Sequence, residues 1–158
     1  MKAERKKVTI YTDGGCIRNP GPGGYGVVLI HGEHRKELSG GYRRTTNNRM
    51  ELMAAIVGLR ALKPGCDVSL WSDSAYLVNQ MRGRIPERWI RNGWRNSDKK
   101  PVLNRDLWEQ LMAAREPHEV RFFKVRGHAG NMENERCDRL AREAAEQRDL
   151  PEDSGYES

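Results

Sequence analysis

One helix with almost no polar side narrows the possible folds more than any other feature. Thr46 or Asn47 can cap it, the apolar pattern predicts helix from there to about Leu62, and Lys63-Pro64-Gly65 stops it. Between Met50 and Leu62 only Glu51, Gly58 and Arg60 are not clearly apolar. A helix that is apolar nearly all round is buried, so the remaining elements must pack around it. Glu51 is thereby singled out, because an ionised carboxylate in a dry setting is costly without a partner.

The other elements read as a mixed α/β pattern. Lys6 to Asp13 alternates as a strand that Gly14 and Gly15 end. Tyr25 to Ile30 and Arg35 to Tyr42 read as two more strands, joined by a turn at His31-Gly32, with a bulge marked by Gly40-Gly41. Asp67 to Ser72 is a fourth strand ending at Asp73, and Ala75 to Met81 a short helix. Val102 to Ala114 reads as helical with Leu103, Leu107 and Leu111 in phase, Glu119 to Val125 as a fifth strand, and Asn134 to Gln147 as a helix with Cys137, Leu140, Ala141 and Ala144 inward. Residues 149–158 are acidic and carry Pro and Gly, which predicts a flexible tail. The expected fold class is α/β: a single five-stranded mixed sheet flanked by helices, in one domain over residues 1–158. The first and fourth strands can lie side by side and parallel, which would put Asp13 and Asp73 at neighbouring carboxyl ends, where open α/β sheets bind ligands.

The chain has 158 residues and a net charge of +6. Residues 81–105 hold eight basic and two acidic side chains, while the remainder is balanced, so this one segment carries the whole excess. It also holds Trp89 and Trp94. Cations interleaved with flat rings suit a nucleic-acid backbone; the plainer alternative is a solvated helix with core tryptophans. Gly83, Pro86 and Gly93 make the segment a broken, protruding element over about 81–100. No apolar run approaches the ~18 residues of a membrane span, so no membrane association is expected. The polar start of the chain does not read as a secretory signal. Cys16, Cys66 and Cys137 form no CxxC pair, which fits a reducing cytoplasm rather than a zinc or disulfide framework.

Gly21, Gly23 and Gly26 match G-x-G-x-x-G, but Pro20 and Pro22 interrupt the run and a strand follows instead of a helix. The dinucleotide reading therefore fails, and the glycines are expected to build a tight loop. The chemistry lies instead in four acids. Asp13 and Asp73 end strands, Glu51 sits early in the apolar helix, and Asp138 edges the inward face of the last helix. Each has a plain alternative: a turn residue for Asp13, a helix cap for Asp73, a capping-box acid for Glu51, and an i,i+4 partner of Arg142 for Asp138. Gathered at one sheet edge, they form a hard oxygen set suited to Mg²⁺ or Mn²⁺. Two such ions would clamp both oxygens of a phosphodiester displacement. His128, in the loop Gly127 to Asn131, can shuttle a proton, though a loop histidine is more commonly only that. His31, His34 and His118 are read as ordinary turn residues.

These residues carry a resemblance. Residues 11–16 (Tyr-Thr-Asp-Gly-Gly-Cys), 19–25 (Asn-Pro-Gly-Pro-Gly-Gly-Tyr), 45–52 (Thr-Thr-Asn-Asn-Arg-Met-Glu-Leu), 72–74 (Ser-Asp-Ser), 98–102 (Asp-Lys-Lys-Pro-Val), 125–130 (Val-Arg-Gly-His-Ala-Gly) and 133–138 (Glu-Asn-Glu-Arg-Cys-Asp) occur together and in order. In this the chain resembles the bacterial type 1 ribonuclease H family (ribonuclease HI) over nearly its whole length. The resemblance implies a ribonuclease H-like fold and an endonuclease that cuts the RNA strand of an RNA–DNA hybrid, leaving 5′-phosphate and 3′-hydroxyl ends. It implies Mg²⁺, with Mn²⁺ a possible substitute, held by Asp13, Glu51, Asp73 and Asp138, with His128 as the loop histidine. It implies a DNA-strand phosphate pocket at Arg44, Thr46 and Asn104, and minor-groove contacts at Asn19, Asn47 and Asn48 with Cys16 nearby. Trp89 and Trp94 would lie near the DNA strand. A monomer is expected, and a single-stranded-DNA-binding protein is a kind of partner known for relatives. Two departures stand out: Ala75 replaces an amide side chain that many relatives carry, and Ile85-Pro86-Glu87 interrupts the protrusion. Two other readings compete. One is a non-catalytic nucleic-acid-binding module that uses only the basic segment and needs no metal. The other is a DNA-cutting member of the same broad fold, such as a transposase or junction nuclease, which fold alone would not separate.

Overall fold

The structure, a computed structural model, describes residues 5–126 and 131–157. The elements are β1 (Lys7–Cys16), β2 (Gly21–His31), β3 (His34–Thr45), α1 (Asn47–Arg60), β4 (Asp67–Ser72), α2 (Ala75–Arg82), α3 (Ile85–Arg91), α4 (Arg105–Arg115), β5 (Glu119–Lys124) and α5 (Met132–Ala145). The strands form one sheet in the order β3-β2-β1-β4-β5. β1 to β3 form an antiparallel meander, and β4 and β5 add parallel to β1. The mixed five-stranded sheet expected from the sequence is present. Among the described residues no helix is long and apolar enough to cross a membrane.

α1 lies between the sheet and α4. Its Met50, Leu52, Ile56 and Leu59 are fully buried with Ile10, Val27 and Leu70 from the strands and Leu107, Trp108 and Leu111 from α4. This double cover is why the helix has no polar side. α5 packs on the opposite face, where Cys137 and Leu140 meet Val28. Backbone contact this close requires glycine. A Cβ on Gly24 would lie 2.2 Å from the Ala141 carbonyl oxygen, and one on Gly26 would lie 2.3 Å from that of Cys137.

Several expectations are corrected here. β1 does not stop at Gly14-Gly15, because Gly14, Gly15 and Cys16 stay paired with Tyr25, Gly24 and Gly23. Gly21, Gly23 and Gly26 lie inside β2 rather than in a loop, and the register shift falls at Gly21/Gly23 instead of Gly40-Gly41. The helix expected from Val102 starts at Arg105, after Asn104 in the left-handed region (φ 61°), so Leu103 points outward and is 80% exposed. The basic segment is broken at Gly83 and Arg84 (φ 55°), and Pro86 sits in the first turn of α3, where a missing N–H costs nothing.

Part of the tail makes specific contacts. The Arg43 N–H donates to the Pro151 carbonyl at 2.9 Å, and Asp153 Oδ2 accepts from Thr45 Oγ1 and from Arg49 Nε, each at 2.7 Å. Arg49 is a fully buried cation on α1 and needs counter-charges; the buried Asp153 carboxylate supplies one and the half-buried Asp106 the other, at 2.6 Å. Residues 151–153 are thus tied to the core side of β3 and α1.

Candidate active site

Parallel pairing of β1 with β4 ends at Thr12 and Ser72, so Asp13 and Asp73 are the next residue on each strand. Glu51 arrives from the second turn of α1. It gets there because β1 and α1 nearly touch: a Cβ on Gly14 would lie 2.3 Å from the Met50 carbonyl carbon and 2.6 Å from the Glu51 nitrogen. One carboxylate oxygen from each of Asp13, Glu51 and Asp73 lies within 4.8 Å of the other two. Asp13 and Glu51 are buried, and Asp73 is half-buried.

The plain alternatives can now be judged. The cap of α2 is Ser74, whose Oγ accepts from the Leu77 N–H at 3.1 Å, so Asp73 is not needed for capping. The cap of α1 is Thr46, accepting from the Arg49 N–H, and Arg49 occupies the capping-box position two residues before Glu51. Asp13 is a paired strand residue opposite Gly26 rather than a turn residue. Asp138 does pair with Arg142 at 2.6 Å, yet it also lines the same cleft as the other three acids. That cleft has a volume of about 660 Å³ and is walled further by Cys16, Asn47 and Asn48.

Electrostatics mark the site as incomplete without a cation. Burial, then the neighbouring Asp73 charge, and then Asp138 push the Asp13 carboxyl up to about 8 against a donated hydrogen bond from the Gly14 N–H. Burial and the charges of Asp13 and Asp73 push Glu51 up as well. Glu51 Oε1 is buried with no hydrogen-bond partner among the described residues. An orphaned acceptor among like charges is costly, and a hard divalent cation relieves both penalties at once. The residues present therefore fit such an ion.

Around this centre the asparagines form a scaffold. Asn47 Oδ1 accepts from the Cys16 N–H at 2.8 Å, and Asn19 Oδ1 accepts from the Asn47 N–H at 3.2 Å. Asn48 is exposed and lines both the acid cleft and a second cleft of about 740 Å³, where it meets Asn19, Thr46, Asn104 and Tyr156. Asn104 donates to the Tyr76 hydroxyl at 3.2 Å and accepts from Arg49 Nη1 at 3.4 Å. Arg44 is exposed near the end of β3 and does not line that cleft.

Trp89 packs into the core. It is 9% exposed and packs edge-on against Trp108 at 5.3 Å, which is the core-tryptophan alternative. Trp94 is half-buried, with the Arg105 guanidinium 5.3 Å above its ring. His128 lies outside the described residues. Sequence reasoning missed Arg49 and its partners Asp106 and Asp153, although an arginine in the first turn of a buried helix was the available signal.

Comparison with known proteins agrees with this geometry. The RNase H family model matches residues 5–146. A Ribonuclease H of Syntrophus aciditrophicus (strain SB) is 59% identical over 155 residues, spanning 98% of this chain and 90% of its own length. Among solved structures, LC9-RNase H1, described as a type 1 RNase H with the type 2 active-site motif, superposes with a TM-score of 0.81 at 31% identity, covering 92% of this chain and 74% of the other. LC11-RNase H1, solved in complex with an RNA/DNA hybrid, has a TM-score of 0.65 at 28% identity, covering 87% of this chain and 96% of the other. With an acid cluster built on the family's fold and a match over nearly its whole length, the chain belongs to the RNase H family.

Proposed function

We infer that this protein is an endonuclease that hydrolyses the RNA strand of RNA–DNA hybrids, leaving 5′-phosphate and 3′-hydroxyl ends with little sequence preference. The carrying observation is the meeting of Asp13, Glu51 and Asp73 within 4.8 Å around an orphaned buried oxygen. Asp13, Glu51 and Asp73, with Asp138 at the rim, would hold Mg²⁺, or Mn²⁺ in its place. Ions held there would supply the charge that activates an attacking water and stabilises the leaving oxygen.

The chain's own groups do the rest. Asn19 and Asn47 have their side-chain oxygens fixed by backbone N–H groups, so their amide donors are turned toward other acceptors. With Asn48 they are suited to the 2′-hydroxyls and base edges that a wide, A-like minor groove displays. Glu51 accepts from a 2′-hydroxyl, which is how RNA is told from DNA at the cut. Thr46 and Asn104 hold a phosphate of the DNA strand, and the exposed Arg44, outside their cleft, adds positive charge to it. The exposed arginines of residues 82–95 neutralise further phosphates, which sets register without reading sequence. His128 moves the proton and helps product leave. The enzyme acts as a monomer in a reducing cytoplasm.

The test is one end-labelled strand presented in an RNA–DNA hybrid, in duplex RNA and in duplex DNA, each with Mg²⁺ or with chelator. Magnesium-dependent cutting confined to the RNA strand of the hybrid is expected. Cutting of duplex DNA would favour the transposase-like alternative. Salt-dependent binding with no cutting in any context would favour a binding module.

A further inference from the structure

The sheet face that carries Asp13 also carries three aromatic rings, one pleat step behind the acids. Tyr11, Trp71 and Phe123 are aligned partners on β1, β4 and β5. Side chains alternate along a strand, so Asp13, two residues past Tyr11, falls on the same face, and Asp73 follows Trp71 at the same interval. The rings stack in a row. Tyr11 and Trp71 have centroids 6.5 Å apart at 20°, and Trp71 and Phe123 are 4.8 Å apart at 24°. α5 packs over β1, β2 and β3, and the Cys137 thiol donates to the Tyr11 carbonyl there. Beyond that cover Trp71 and Phe123 remain half-buried.

Trp71 and Phe123 line a cleft of about 720 Å³ with Arg82, Lys124 and Arg126, and no acidic side chain is among its described lining residues. Cross-strand aromatic pairs can simply stabilise a sheet. Here, however, Trp71 and Phe123 keep open surface beside three cations and next to a phosphodiester-cutting centre. Flat rings with a positive rim bind single strands, whose bases are free to stack, and not paired duplex, whose bases are already stacked.

We propose that the Trp71–Phe123 end of the ladder, with Arg82, Lys124 and Arg126, is a stacking site for single-stranded nucleic acid, namely an unpaired strand that continues from the end of the bound hybrid. The inference rests on the hybrid-nuclease reading above. DNA and RNA share the chemistry, since every base has a π-face.

The test uses the full chain and hybrids that are blunt or carry a single-stranded extension of roughly ten nucleotides, in DNA or RNA and on either end. For at least one extension the wild type should show a KM lower than for the blunt hybrid by about five- to a hundred-fold per stacked base. Trp71→Leu and Phe123→Leu keep apolar bulk but lose the flat ring. They should erase that difference while holding kcat/KM on blunt hybrid within about twofold. The double variant Lys124→Gln/Arg126→Gln, which leaves the rings in place, should lower the gain and its salt dependence. Equal KM for blunt and extended hybrids in the wild type would overturn the proposal, as would equal losses on both substrates in Trp71→Leu. If blunt hybrid is not cut at all, the nuclease reading has failed instead. Quenching of tryptophan fluorescence by free oligothymidine then decides the ladder: it stands if Trp71→Leu removes the quench and falls if the quench persists.

Discussion

At the residue scale the acids work against the fold until a cation joins them. Asp13 has a folded pKa of about 8, well above its ordinary value of 3.8. A carboxyl raised in this way binds its proton more tightly folded than unfolded. Its contribution to stability is therefore full below the unfolded value and is lost as pH rises through the folded value. Without metal, stability therefore falls as pH rises from about 4 to about 8, and the loss persists above that. Asp13→Asn removes the titration. At pH 8 in chelator the variant should melt higher than the parent by at least about 1 kcal/mol, roughly 2–4 °C for a chain of this size, and added Mg²⁺ should stabilise only the parent. Thermal melts across pH check this, and a variant melting lower at pH 8 would contradict it. His128→Ala should slow turnover without ending it, read as kcat with binding unchanged; loss as complete as in Asp13→Asn would refute a helper role. The acids were legible in the sequence because each broke a local pattern. Trp89 was harder to read, because a tryptophan amid arginines looks the same in sequence whether or not its ring packs on Trp108.

At the element scale the site depends on how closely α1 approaches β1. Gly14→Ala would drive a methyl group into the Met50 backbone, which cannot rotate away as a side chain does. We expect destabilisation at the upper end of the roughly 1–3 kcal/mol typical of overpacking, with a larger proportional loss of cleavage as Glu51 is displaced from Asp13. Denaturant midpoints and kcat measured together check this; normal activity in a destabilised variant would separate the helix position from the chemistry. Element identity was readable from periodicity and caps, as at Thr46 and Ser74. Element ends were not. Gly14-Gly15 reads as a strand terminator, but in β1 Gly14 admits the α1 backbone, a role that exists only once α1 is in place. Leu103 has the right phase for α4, yet the chain turns left-handed at Asn104 and the phase is lost.

At the scale of the whole molecule, residues 43–49, 104–106 and 151–153 are joined through one buried cation. Arg49 is shared by Asp106 and Asp153, and through Asn104 the same network reaches the wall of the second cleft. Asp153→Ala leaves Arg49 with one partner. It should cost about 3 kcal/mol, or roughly 6–12 °C in Tm, and should raise KM for hybrid more than it lowers kcat. A melt unchanged within about 1 °C would show the tail contact to be dispensable. The composition of residues 149–158 suggested a loose tail because the counter-charge it answers lies over a hundred residues earlier.

The central claim is that Asp13, Glu51 and Asp73 hold the metal that cuts RNA in a hybrid. It is tested most directly by measuring hybrid binding and cleavage side by side for wild type and Asp13→Asn across a Mg²⁺ titration. The account predicts that the variant binds hybrid about as tightly as the parent and cuts none of it at any magnesium concentration. Cleavage by Asp13→Asn at the parental rate would contradict it.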